Sequence, residues 1–172
     1  LFKYVINDRS AIFKRESTSS LQDRLTNSDK AINKEFKINI QVSNRLKAHL
    51  PKNYFYFHAK RETLRDLQWS VDELKLLFDF FLKYSENVIL TKDIEVDENT
   101  KIFKDNFNSF DFKTNKFIDK SKKVIFFDNI DGEDLYNVIK LSKKVIAFHG
   151  MMTNLASINN KLVLDLFHCK IK

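Results

Sequence analysis

The stretch KVIFFDNIDGEDLYNVIKLSKKVIAFHGMMTNLASINNKLVLDLFH, Lys123 to His168, decides the fold. Three short apolar runs (123–128, 144–149 and 161–167) are separated by two helical patterns. Each run is continuous rather than alternating, as in strands buried on both faces. The intervening segment opens with Asp131, Glu133 and Asp134, acidic residues suited to the positive end of a helix. The second intervening segment, 151–159, is short and rich in small residues. Strand, helix, strand, helix, strand predicts parallel pairing with crossovers.

Working towards the N-terminus, the pattern repeats. The aromatic run YFYFHA (54–59) and NVILTK (87–92) predict two more buried strands. Between them Ser70-Val71-Asp72-Glu73 is a capping box. The helix it opens places Val71, Leu74, Leu77, Phe78, Phe81 and Leu82 on one face. Residues 95–122 are polar and dotted with phenylalanines, with mixed or weak structure, and must hold the second crossover. The expected fold is α/β: a Rossmann-like, mainly parallel five-stranded sheet with helices on both faces. Right-handed winding gives the strand order 3-2-1-4-5. Residues 1–50 are expected as a helical or irregular segment, a linker or remnant of another domain, and 51–172 as the Rossmann-like domain. Within 1–50, Phe2, Tyr4, Val5 and Ile6 suit a short strand or helical turn. Ser17–Ser20 and Thr26–Asp29 are loop chemistry, and 36–50 suits a helix or linker before Pro51.

The 172 residues carry a net charge of +7, with an isoelectric point near 9.4. Scattered lysines make this largely a compositional bias, although it also suits an anionic partner. The single cysteine, Cys169, excludes a disulfide framework and a cysteine zinc site, and suits a reducing compartment. No apolar run approaches the roughly 20 residues of a membrane-spanning helix. The chain opens at Leu1 rather than Met, as a fragment would.

Ligands of open parallel sheets bind at the carboxyl ends of the strands. There the sequence places His58, Lys60 and Arg61, then Asp128-Asn129, His149-Gly150 and His168. Gly150 stands where a strand turns directly into a helix. A glycine there lets a phosphate oxygen approach the helix amides. Thr153 and Asn154 fall in the first turn and can add hydrogen bonds, while Lys60 and Arg61 can neutralise a diphosphate. A GxGxxG motif, a P-loop, a nucleophile elbow and a metal-binding spacing are all absent. No cofactor or metal is therefore expected.

Four stretches carry a family resemblance. YFYFHAKR (54–61), QWSVDELKLLFDFFLKYSENVILTKDIE (68–95), FFDNIDGEDLYNVIKLSKKVIAF (126–148) and HGMMTNLASINNKLVLDLF (149–167) resemble the C-terminal, donor-binding half of GT-B glycosyltransferases. The heptosyltransferase-like and fucosyltransferase-like enzymes are the nearest in kind. Phe148-His149-Gly150 stands where heptosyltransferases carry an Asp-Ser/Thr-Gly turn. The resemblance implies a nucleotide-sugar donor held by His58, Lys60, Arg61, His149, Gly150, Thr153 and Asn154, with Asn129 and Ile130 near the base. It further implies a glycan or lipid-linked acceptor, surface polysaccharide or lipopolysaccharide synthesis, and a cytoplasmic site with peripheral contact at the inner membrane face. Nucleic acid is not an expected partner in that setting. The general base of such enzymes lies in the other half, so no catalytic residue is assigned. The alternative is a noncatalytic basic module that binds a phosphorylated ligand or nucleic acid.

Overall fold

A computed structural model describes residues 6–8, 40–60, 69–93, 98–148 and 150–166. In chain order the elements are β1 (Ile6–Asp8), α1 (Asn44–His49), β2 (Tyr54–Ala59), α2 (Val71–Phe81), β3 (Asn87–Lys92), α3 (Glu98–Asn106) and β4 (Asn108–Asp111). They continue with β5 (Lys116–Ile118), β6 (Val124–Asp128), α4 (Gly132–Leu141), β7 (Lys144–Phe148), α5 (Met151–Ile158) and β8 (Leu162–Leu166).

All six residues of β2 are buried, as expected for a central strand covered on both faces. β2 lies between β3 and β7 and is parallel to both. The complete sheet runs β1-β8-β7-β2-β3-β6-β4-β5. Taken alone, the five expected strands stand in the order 3-2-1-4-5.

Eight strands rather than five correct the expected count. β1 adds antiparallel to β8. The stretch read as mixed or weak supplies α3 and the β4–β5 hairpin, with β4 parallel to β6 and β5 antiparallel to β4. These strands are three or four residues long and partly polar, so their pairing comes from neighbours rather than from an apolar run. Asn108 shows how. Its Oδ1 accepts the Lys120 and Lys122 amides at 2.8 and 3.2 Å, and its Nδ2 donates to the Lys122 carbonyl at 2.8 Å. That clasp returns the chain from β5 to the start of β6. The loop segments read at 17–20 and 26–29 lie outside the described residues.

Two cores flank the sheet. On one face Leu74, Leu77, Phe78 and Phe81 of α2 and Phe103 of α3 pack against Phe55, Phe57, Leu90 and Phe126. The capping box at Ser70 is present, with the Ser70 hydroxyl accepting the Glu73 amide and the Glu73 carboxylate accepting the Ser70 amide. On the other face α1, α4 and α5 bring Leu46, Val138, Ile139, Met152 and Ala156 onto Tyr56, Ile89, Phe127 and Val145. Burying one such side chain contributes about 1.5–3 kcal/mol.

Residues 40–50 belong to this second core. Leu46 is fully buried, and Arg45 pairs with Asp131 and with Asp134, the latter at 3.0 Å. Asn137 Nδ2 donates to the Gln41 carbonyl. α1 is thus fastened to the N-terminus of α4, whose cap is the Asp131 side chain.

Candidate functional site at the β2–β7 crossover

β2 leads through α2 to β3 on one side, and β7 leads through α5 to β8 on the other. The two helices lie on opposite faces of the sheet. Such a change of side between neighbouring parallel strands marks the carboxyl edge where open α/β sheets bind ligands, and the crevice between β2 and β7 is that edge.

The row of side chains beneath α5 is set by register. Thr91 pairs with His58, His58 with Ala147, and Ala147 with Asp165, so the four cross the sheet in line. Tyr56, two residues before His58, shares its face. The Tyr56 hydroxyl lies 2.7 Å from Thr91 Oγ1, which lies 3.1 Å from His58 Nδ1. His58 Nε2 is 3.2 Å from Asp93 Oδ1. With a neutral imidazole and an ionised Asp93, one direction satisfies the ring and the carboxylate. Tyr56 donates to Thr91, Thr91 to Nδ1, and Nε2–H to the Asp93 carboxylate. Burial holds the Tyr56 hydroxyl far above its ordinary range, opposed by the Thr91 hydrogen bond and assisted by the Asp93 charge. It therefore stays a neutral donor.

The structure places His58, expected at the donor, inside this network. Its ring is 7% exposed and both nitrogens face protein partners. It positions Asp93 rather than presenting itself to a ligand. Asp93 sits just beyond the end of β3 with a 40% exposed side chain. A carboxylate held there can accept hydrogen bonds from sugar hydroxyls. Lys60, half-buried one residue past β2, supplies a cation at the same edge.

The other wall is the start of α5. Gly150, its N-cap, has φ +157° and ψ −153°, a conformation that L side chains rarely adopt. A Cβ there would meet only the Phe148 carbonyl oxygen, at 3.9 Å. The glycine is therefore required by backbone conformation, and the space in front of it is open. As a cap, Gly150 brings no side-chain oxygen to the first-turn amides. The Thr153 hydroxyl is committed locally, donating to the Gly150 carbonyl at 2.7 Å. Thr153, expected at the donor, is buried, and its hydroxyl stabilises the turn. Asn154 is exposed, and its amide closes the turn on the Gly150 carbonyl. Met152 Sδ, 3.8 Å from the Tyr56 hydroxyl, places this turn over the buried network.

Asn129 and Ile130 are not brought to this crevice. They follow β6, two strand positions from β2, about 10 Å away. Asn129, in the left-handed region at φ 52°, donates to Asp111 Oδ1 at 2.9 Å and Asp128 Oδ2 at 3.2 Å. Lys104 Nζ closes the group 2.6 Å from Asp128 Oδ2. Burial pushes the Asp111 carboxyl up. Hydrogen bonds from Asn129, Lys113 and Thr114, with the Lys104 charge, more than offset this and hold it below the ordinary range. Ile130 packs against the second core. Register thus places the two residues expected near the base two strand positions from β2.

Arg61, His149 and His168 lie outside the described residues. Among those described, Lys60, Gly150 and Asn154 lie past the ends of β2 and β7, and the structure adds Asp93 just past β3, with Thr91 and Asp165 buried in the row beneath α5. Asp165 had a visible signal, an acid inside the apolar run KLVLDLF. Asp93 had only its place after NVILTK. No group of three or more metal-ligating side chains occurs among the described residues, and no helix there is long and apolar enough to cross a membrane. No protein-family model, curated protein or solved structure matches the chain.

Proposed function

We propose that the crevice between β2 and β7 binds a nucleotide-diphosphate sugar, and that the chain is the donor side of a GT-B type glycosyltransferase. The observation that carries this is the Gly150 turn. It delivers the uncapped first-turn amides of α5 to the crossover edge, beside Lys60. Such amides favour a phosphate group. The glycosyltransferase assignment rests on the sequence resemblance of residues 54–167, with which the strand order is compatible.

In sugar transfer the bond from the anomeric carbon to the diphosphate oxygen breaks, and a bond to an acceptor oxygen forms. Negative charge grows on the departing diphosphate. The α5 amides and Lys60 are placed to stabilise it without reorganisation. Asp93, oriented through His58, accepts a hydrogen bond from a hydroxyl of the ribose or the sugar. No residue of this chain is assigned as general base.

One observation favours a second reading, a noncatalytic phosphate-binding module. The side chains expected at the base, Asn129 and Ile130, stand elsewhere in the sheet. Calorimetric titration with UDP, GDP, ADP, CMP and inorganic pyrophosphate separates the two. Preferential binding of one nucleotide, weakened about tenfold by Asp93→Asn with an unchanged melting temperature, supports the donor site. Equal affinity for all five supports the module. No binding by any of them at millimolar concentration defeats both.

A further inference from the structure

At the β5 edge of the sheet, four strand positions from β2, the chain from 113 to 123 is exposed at every residue. It contains Lys113, Lys116, Lys120, Lys122 and Lys123, with Asp119 as its one acid, a local charge of +4 in a chain of net +7. Lysines on an outermost strand commonly guard against edge-to-edge pairing. That explains Lys116, on β5. Lys120 Nζ donates to the Asp105 carbonyl at 3.0 Å. Neither role explains Lys122 and Lys123, which lie in the loop beyond the strand, where there is no edge to guard. Phe117 and Ile118 of β5 are 40% and 37% exposed among these cations. The neighbouring acids are engaged. Asp111 accepts the Lys113 amide and the Asn129 side chain, and Asp119 accepts the Ser121 amide. The hairpin is held firmly, by the Asn108 clasp and by His49, whose ring stacks on Phe110 and Phe117 at 3.9 and 5.2 Å.

We propose that this hairpin and loop form a docking surface for an anionic membrane. The charges are all lysine, compact point charges suited to anionic headgroups rather than to the forked, planar recognition that arginine provides for nucleic acid. Apolar tips set among lysines match an interfacial site. Phe117 already stacks with His49, which makes it a poor platform for nucleic-acid bases. The surface stands independently of the crevice and of any donor bound there.

Co-sedimentation with vesicles tests the proposal. The expected result is binding to phosphatidylcholine vesicles containing phosphatidylglycerol, none to phosphatidylcholine alone, and a steep loss with added salt. Lys116→Glu with Lys123→Glu lowers the bound fraction at least tenfold, and Ile118→Ser lowers it severalfold at constant charge. Both variants keep wild-type melting and wild-type nucleotide titrations, so a failure here is distinct from a failure of the donor site. Three outcomes overturn the proposal: equal binding to neutral vesicles, no binding to either vesicle, or tighter binding to a random-sequence RNA than to anionic vesicles at the same ionic strength.

Discussion

Two polar clusters occupy the carboxyl edge of the same sheet, and they differ in how exposed their final carboxylate is. At β4 and β6, Asp111, Asp128, Asn129 and Lys104 satisfy one another. At β2, β3 and β7, the buried chain from Tyr56 through Thr91 and His58 ends on the half-exposed Asp93, next to a glycine turn that leaves helix amides uncapped. The first cluster consumes its polarity within the fold. The second passes it outward. Position along a sheet edge therefore does not by itself make a ligand site. What distinguishes the two is exposure: the first ends on the buried Asp128, the second on the half-exposed Asp93.

Breaking the closed cluster has the largest expected effect. Lys104→Met leaves the buried Asp128 carboxylate without its cation. Losing one partner of a fully buried pair costs about 3–5 kcal/mol. Lys104 is one-third exposed, so screening reduces the expected loss to about 2–3 kcal/mol. Urea denaturation measures it, and nucleotide titration of the folded variant should match the wild type. A loss of ligand affinity at unchanged stability would merge the two clusters into one site.

Gly150→Val gives a smaller loss of stability with the opposite signature. Its cost is backbone strain, about 1–2 kcal/mol, because a Cβ at that position has room. Nucleotide or pyrophosphate binding should fall below detection, since the branched side chain fills the space in front of the α5 amides. Paired melting and titration decide the matter. A folded variant with wild-type affinity would leave the turn a purely structural role.

The smallest effect lies in acid. The Asp111 carboxyl is held below its ordinary value of 3.8 in the folded protein. As pH falls, the unfolded chain takes up the proton first. The contribution of Asp111 is thus present above about pH 3.8 and is lost as pH drops through the folded value. Acid unfolding of Asp111→Asn should lack this component and fall less steeply below that point. Superimposable curves would show that the cluster is not coupled to folding.

By itself the sequence determined the centre of this molecule. Runs such as YFYFHA and VIAF are buried on both faces because their apolar residues are nearly continuous, and that continuity dictated central parallel strands. Ser70 and Asp131 announced their helices by local hydrogen bonds to amides three residues on, a short-range interaction legible in four letters. Gly150 was legible for a similar reason, as a strand passing into a helix without a loop. The tertiary structure alone decided the edges and the partners. β1, β4 and β5 are strands only because β8, β6 and β4 offer them hydrogen bonds, and the Asn108 clasp reaches across fourteen residues. His58 and Asp93 lie 35 residues apart, and only the parallel register of β2 and β3 turns a strand-end histidine into the support of a carboxylate. Asn129 was placed correctly at a strand end, yet its side chain belongs to Asp111, on a strand that the sequence did not announce. Backbone pattern is written locally, whereas the satisfaction of a polar side chain depends on which distant strand lies beside it.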